Sequence, residues 1–189
     1  TLHHFTIPTT FHQNRQRPNI FRNCQRTQTV KLNRIATWNV EGLHMDDLDT
    51  KLTQLTAVMK QQGIAVLCLQ ETHIAGSFHF IFHGYHVIFS GRPDDKREYA
   101  GVGYIIAPWA RQAILSFIQV DSRLAGLRMK VSGGNVCILN AYAPHNGHDF
   151  ETRLDFFDNL LLLVGKFRAY GPTLILGDLN TIISSRSIS

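Results

Sequence analysis

Four apolar stretches of the sequence end in side chains that could do metal or acid–base chemistry. The most informative is 64–72, an almost unbroken apolar run that ends on the carboxylate of Glu71. This stretch follows Gly63 and is too short for a typical helix, so it predicts a strand buried on both faces, with Glu71 at its C-terminal end. The other three stretches end in pairs of polar residues two positions apart, which strand alternation puts on one face: Asn39 and Glu41, Asn140 and Tyr142, and Asp178 and Asn180.

These residue types suit the cleavage of a phosphodiester. A carboxylate at the end of a core strand is costly unless it is paired or holds a metal. Mg²⁺ commonly binds one or two carboxylates and leaves its other positions to water and phosphate, which Glu71 with help from Glu41 could supply. Asp178 could orient or deprotonate the attacking water. The donors of hydrogen bonds to the phosphate oxygens would be Asn39, Asn180 and Tyr142.

A single polar strand end is more often solvated than functional. Four such ends in one layered domain are a pattern that random strand ends seldom give. We therefore expect one cleft to contain the six side chains named above: Asn39, Glu41, Glu71, Tyr142, Asp178 and Asn180.

The elements that must position these residues form an α/β pattern. A strand is predicted over 34–40 and a helix from Asp46 or Asp47 to Gly63, with Leu48, Leu52, Leu55 and Met59 on its apolar face. Further strands are expected at about 85–89, 101–107, 114–120, 124–131 and 135–143, with a hairpin turn at 132–135. A second helix from Asp149 would bury Phe150, Leu154, Phe157, Leu161 and Val164, and a strand at 173–176 follows it.

Length and charge divide the chain in two. Its 189 residues, 44% of them hydrophobic, can bury one domain core. The net charge of +5 comes from residues 1–34, which carry six basic side chains and no acid, whereas the rest has 13 basic and 14 acidic side chains. We predict that residues 1–33 are a basic, largely disordered leader, either a DNA-binding arm or a tail without a role, and that residues 34–189 form the domain.

Cysteine usage and hydropathy indicate where the protein works. Cys24, Cys68 and Cys137 are widely spaced, and two lie in strand patterns, which predicts buried free thiols in a reducing compartment, nuclear or cytoplasmic. No apolar stretch reaches the roughly 18 residues of a membrane span, so we expect no membrane partner.

Four ordered motifs resemble one known superfamily. T-W-N-V-E-G-L (37–43), L-Q-E-T (69–72), N-A-Y-A-P (140–144) and L-G-D-L-N (176–180) are similar to those of the endonuclease/exonuclease/phosphatase superfamily. Within it, the sequence most resembles the apurinic/apyrimidinic-type endonuclease domains that stand at the front of non-LTR (LINE-type) retrotransposon polyproteins, which also carry a reverse transcriptase, and their domesticated relatives.

The resemblance implies a fold, a reaction and residue roles. The fold is a four-layered α/β sandwich of two mixed β-sheets flanked by helices. The reaction is DNA nicking that depends on Mg²⁺, or on Mn²⁺ in its place, by a monomer with DNA as its partner. Glu71 then corresponds to the metal-binding Glu and Asp178 to the water-orienting Asp. Asn39 and Asn180 correspond to phosphate-facing residues, and Tyr142 to the active-site Tyr.

Two departures from the family pattern matter. Repair enzymes of the family have Asp where this chain has Glu41, and their later Ser-Asp-His signature, whose His contacts the scissile phosphate, occurs nowhere here. We therefore expect a domain whose C-terminal part is missing and which has little activity alone. The alternatives are a non-catalytic relic that at most binds nucleic acid, or a 3′ exonuclease or sugar-phosphate phosphatase with the same site chemistry.

Overall fold

The computed structural model of the chain describes residues 21–22, 28–92 and 99–180. Two five-stranded mixed β-sheets face each other, with one helix on the outer side of each, so the four-layered α/β sandwich is confirmed. In chain order the elements are β1 (Phe21–Arg22), β2 (Ile35–Asn39), α1 (Leu48–Gln62), β3 (Val66–Gln70), β4 (Ser77–Phe82), β5 (Tyr85–Ser90), β6 (Val102–Ile106), a 3₁₀ turn (Arg111–Ala113), β7 (Ile114–Gln119), β8 (Leu124–Val131), β9 (Gly134–Tyr142), α2 (Phe150–Arg168) and β10 (Thr173–Asp178).

Each sheet contains one parallel pair of strands joined by a helix. The order is β2-β3-β6-β5-β4 in one sheet, where α1 connects β2 to the parallel β3. The order is β1-β7-β8-β9-β10 in the other, where α2 connects β9 to the parallel β10. All other neighbours are antiparallel. Parallel strands require such a crossover, so the chain builds two βαβ units, one in each sheet.

Helix α1 buries the face that its spacing predicts. Leu48, Leu52, Leu55 and Met59 are all buried. Gly63 ends the helix in the left-handed conformation with a φ of 64°, where the absence of Cβ avoids a steric penalty. Asp47 holds the N-cap position, but its side chain makes no capping hydrogen bond.

Helix α2 lies on its sheet with a different face from the predicted one. The buried side chains are Phe156, Leu160, Leu163 and Phe167. Of the predicted stripe, Phe157 and Val164 are only partly buried, while Phe150, Leu154 and Leu161 are exposed, so that prediction is wrong. The N-cap is as predicted, because Asp149 accepts a hydrogen bond from the backbone N–H of Thr152 at 2.8 Å.

Two further segments differ from their predictions. Strand β4, within a stretch that the sequence analysis treats as a loop, pairs with β5 along its whole length. In the predicted leader, β1 pairs with β7 and the backbone of Val30 bonds to Lys130 and Ser132, so these stretches have regular pairing. Leader residues 1–20 and 23–27, including Cys24, lie outside the described part, and the division at residue 33 stays a prediction.

A buried amide network joins the two sheets. Asn140 of β9 is fully buried, and its Nδ2 donates to the backbone oxygens of Leu69 and Gly103 in the opposite sheet at 2.9 and 2.8 Å. Its Oδ1 accepts from Nε2 of Gln70 at 2.6 Å. The Tyr104 hydroxyl crosses the same interface to two backbone oxygens of the other sheet. Since every polar group here is out of water, these bonds fix how the sheets face each other.

We predict that Asn140→Ala lowers the free energy of unfolding by about 3 kcal/mol, because three hydrogen bonds disappear and their buried partners stay unpaired. Urea unfolding measures the change. The matched control is Asn135→Ala at the other end of β9, whose amide makes one long 3.5 Å contact and should contribute less than about 0.5 kcal/mol. Equal effects of the two substitutions would contradict a role for the network.

A second pair of variants tests the attachment of β10. A Cβ on Gly177 would lie 1.8 Å from the Ala141 backbone oxygen, at a φ of 137°. We expect Gly177→Ala to destabilise the fold by at least about 2 kcal/mol. Gly165, inside α2, has no atom within 4 Å of such a Cβ, so Gly165→Ala should stabilise by about 0.5 to 1 kcal/mol. Thermal unfolding of both variants distinguishes a steric requirement at Gly177 from a general response to alanine.

Candidate active site

The predicted site residues follow the carboxyl ends of the two parallel strand pairs. Asn39 ends β2 and pairs with Gln70, the last residue of β3, while Tyr142 ends β9 and pairs with Asp178, the last residue of β10. Strand β10 lies against β2 and β3 of the opposite sheet. Ligands bind α/β folds beyond the carboxyl ends of parallel strands, and here two such ends meet.

Glu71 is the central carboxylate of this edge. It directly follows β3, whose five residues are all buried, as the sequence predicts. Its Oε1 accepts from Nδ2 of Asn39 at 2.7 Å, and Oδ1 of Asn39 accepts from the backbone N–H of Glu41 at 3.2 Å. Asn39 therefore links the two predicted metal-binding residues. Glu41 itself is exposed.

Tyr142 reaches Glu71 from the opposite sheet. Its side chain is 7% exposed and hydrogen bonds to Glu71. Burial, with the hydrogen bond to Glu71 and its negative charge, raises the pKa of Tyr142 to about 12. The phenol therefore stays protonated at neutral pH and can donate a hydrogen bond. The guanidinium carbon of Arg123 lies 5.0 Å from the ring centroid, a cation–π distance.

Asp178 and Asn180 complete the edge on the other side of Tyr142. Oδ1 of Asp178 accepts from the backbone N–H of Asn180 at 2.9 Å, which closes an Asx-type turn. Nδ2 of Asn180 donates to the Ala143 backbone oxygen at 2.6 Å, and the Ala143 N–H donates to the Asp178 backbone oxygen. The Asn180 side chain is thus held against the residue that follows Tyr142, and the Asp178 carboxylate is held by the Asn180 backbone.

The backbone at this edge is strained. In the described part of the chain, five non-glycine residues have a positive φ, and four of them lie here: Glu41 at 51°, Glu71 at 53°, His73 at 55° and Asn180 at 46°. A left-handed conformation costs a non-glycine residue about 1 to 2 kcal/mol, and such residues concentrate at functional sites. The left-handed turn after Asn39 also means that strand alternation does not place Glu41, because β2 has ended.

Two further residues at this edge were not predicted. Nε2 of His73 lies 3.9 Å from Oε2 of Glu71, and burial lowers the pKa of His73, partly offset by the Glu71 charge. Arg123 precedes β8 and is part of this edge through its contact with Tyr142. His73 follows Glu71 by two positions, a spacing that could have marked it, but nothing local in the sequence links Arg123 to the site.

One expected site group lies elsewhere. Asn140 shares strand parity with Tyr142, but its amide is consumed by the bonds between the sheets. The prediction that this pair would present two polar groups at the strand end is therefore wrong for Asn140. The predicted direction of the Asn140 side chain was correct, but Asn140 lies deeper in β9 than Tyr142 and faces the core rather than solvent.

The donor set fits a hard divalent cation better than a softer transition metal. No cluster of three or more His, Cys, Asp or Glu side chains that could hold a metal occurs in residues 28–92 or 99–180. One or two carboxylates are the usual protein share of a Mg²⁺ site, since water and phosphate fill the rest. Glu71 matches this pattern, with one oxygen fixed by Asn39.

The hydropathy of the helices and the similarity to known proteins concern the chain as a whole. None of its helices in the described ranges is long and apolar enough to cross a membrane. No curated protein sequence matches the chain significantly. Among solved structures, TDP2 from Caenorhabditis elegans is 17% identical, with a TM-score of 0.48 over 77% of this chain and 47% of that one. Humanized D. rerio TDP2 is 14% identical, with a TM-score of 0.49 over 79% of this chain and 66% of that one. The chain thus spans less than two thirds of the length of these proteins.

The model of the Endonuclease/Exonuclease/phosphatase family matches residues 36–189, a range that contains both βαβ units and every predicted site residue. Enzymes of this family typically use divalent metal ions. The chain belongs to the endonuclease/exonuclease/phosphatase family.

Proposed function

We propose that this domain hydrolyses phosphodiester bonds of DNA with the help of Mg²⁺, as a nicking endonuclease of retrotransposon origin. The observation that carries the proposal is that Asn39 and Tyr142 both hydrogen bond to Glu71, while Asp178, bonded to Asn180, pairs with Tyr142 where β9 and β10 end. These contacts gather the family's hydrolytic residue types around one carboxylate. The four sequence motifs support the retrotransposon assignment.

Each side chain has a role that its contacts allow. Glu71, with help from Glu41, would hold the cation, and Asn39 orients Glu71. A divalent cation bound there would polarise the phosphate and stabilise the developing negative charge. Asp178 would orient the attacking water or take its proton, since the Asn180 N–H fixes its carboxylate.

The remaining groups would stabilise negative charge on the phosphate oxygens. Tyr142 keeps its proton and would turn its single O–H from Glu71 to the phosphate, while the Asn180 amide is fixed against Ala143 and can use its second N–H. Preorganised donors of this kind each contribute about 10² to 10³ in rate.

The cellular setting follows from the thiols and the motifs. Cys68 and Cys137 are buried and not joined to each other, which supports the proposal of a reducing compartment, nuclear or cytoplasmic. DNA is the proposed partner, the protein is proposed to act as a monomer, and a polyprotein with a reverse transcriptase is the proposed context.

A second candidate is a relic that binds nucleic acid without cleaving it. It would keep the fold and bind nucleic acid through Arg and Lys contacts. A 3′ exonuclease or a phosphatase would use the same site residues and differ only in how substrate reaches them.

We predict slow nicking of supercoiled plasmid by excess protein in Mg²⁺ or Mn²⁺, abolished by EDTA. Glu71→Gln removes the charge that holds the cation and Asp178→Asn removes the proton acceptor, so each should reduce the rate at least about 100-fold. The matched control is Asp158→Asn, an exposed acid on α2, which should leave the rate unchanged. A rate that survives both site substitutions contradicts the site, and no metal-dependent nicking favours the relic.

We predict that the basic leader binds DNA phosphates. Replacing Arg15, Arg17 and Arg26 together by Gln should reduce the slope of log affinity against log salt by about 0.9 for each lost phosphate contact. Substitution is preferable to deletion because Val30 and Leu32 pack against the core. The control replaces Lys51, Lys60 and Lys166 on the two helices, which changes the net charge equally. An identical slope in the leader variant would mean that the leader does not touch DNA.

A further inference from the structure

One exposed aromatic side chain stands beside the candidate active site without a role in it. Tyr99 is 80% exposed, more than any other large hydrophobic side chain in the described part of the chain. Its ring centroid lies 5.3 Å from that of His73, with an angle of 67° between the ring planes. His73 in turn lies 3.9 Å from Glu71. Tyr99 is therefore two side-chain contacts from the central carboxylate.

The backbone fixes Tyr99 at this position. The N–H of Thr72 donates to the Gly101 oxygen at 3.0 Å, and the N–H of His73 donates to the Ala100 oxygen at 3.1 Å. Ala100 and Gly101 are both buried. The segment that carries Tyr99 is thus paired with the segment that follows Glu71, and the two must keep their spacing.

The geometry of the ring leaves room for a ligand. An edge-on contact with His73 occupies only part of the Tyr99 ring, and the high exposure shows that solvent reaches the rest. Exposed aromatic rings beside a phosphate-binding groove are the platforms on which proteins stack unpaired nucleobases. The ring is linked to Glu71 through the side chain of His73, which contacts both residues.

We propose that Tyr99 stacks an unpaired nucleobase next to the phosphate held at Glu71. The inference rests on the proposed function and narrows its substrate to nucleic acid with at least one unstacked base at the cleavage position. A sugar-phosphate substrate would have no use for the ring. Base stacking does not depend on base identity, so Tyr99 would contribute affinity rather than sequence preference.

The test compares two fluorescent single strands with the same backbone charge, a short thymidine oligonucleotide and an abasic strand with no bases. Fluorescence anisotropy in EDTA measures binding without cleavage. Tyr99→Ala should weaken binding of the thymidine strand roughly tenfold, the loss typical of one stacked base, and leave the abasic strand unaffected. Tyr99→Phe keeps the ring and should bind like the wild type.

The matched control is Trp109→Ala. Trp109 is 50% exposed and follows β6 at the end of the sheet opposite Glu71, so its loss should change neither affinity. The proposal is overturned if Tyr99→Ala weakens both strands equally or neither, or if the wild type does not prefer the thymidine strand. Base-dependent binding through Tyr99 without plasmid nicking would contradict the proposed catalysis but support the stacking proposal. Plasmid nicking with base-independent binding would support the proposed catalysis but overturn the stacking proposal.

Discussion

The hydrogen bonds of Asn140 to Gln70, Leu69 and Gly103 constrain the rest of the structure. Apolar packing holds the two sheets together but is non-directional, and a slide of one residue would keep most of the buried area. The buried amides do not tolerate such a slide, because each group left unpaired in the core costs about 1 to 3 kcal/mol. Gln70 immediately precedes Glu71, and Asn140 lies two residues before Tyr142. The contact that fixes the sheets therefore also sets the spacing between the two halves of the site.

The two βαβ units explain why the candidate active site lies at this edge. Each crossover returns the chain so that two strand ends point the same way, and the facing sheets bring the ends of β2, β3, β9 and β10 together. Side chains at these positions are supported by buried strands but open towards solvent. Glu71 shows the principle, since its strand is wholly buried and its carboxylate is held by Asn39 from the neighbouring strand and by Tyr142 from the opposite sheet.

Local pattern predicted most elements and failed where tertiary contacts decide. The apolar positions of α2 occupy an arc wider than the buried seam, so the predicted and the observed stripes both have helical spacing. Strand β8 decides which face of α2 is buried, because Gly126 leaves room for the ring of Phe167. A Cβ on Gly126 would lie 2.5 Å from that ring. Strand β4 was missed although its sequence has strand alternation, with the partly buried Phe78, Phe80 and Phe82 between exposed residues. The placement of the site at strand ends was predictable from the apolar runs that precede it, but Arg123 depends on the pairing of β8 with β9 in its own sheet, and the burial of Asn140 depends on the facing sheet.

The residues with left-handed backbone conformation at the candidate site lower the stability of the fold in exchange for the proposed activity. Glycine or asparagine would adopt these backbone angles at lower cost than glutamate or histidine, so a sequence selected for stability alone would lose Glu41, Glu71 and His73. Their presence in one cluster is a trace of selection for something other than folding. A lineage of this domain released from that selection would be expected to drift first at these positions, and to become more stable as it did so.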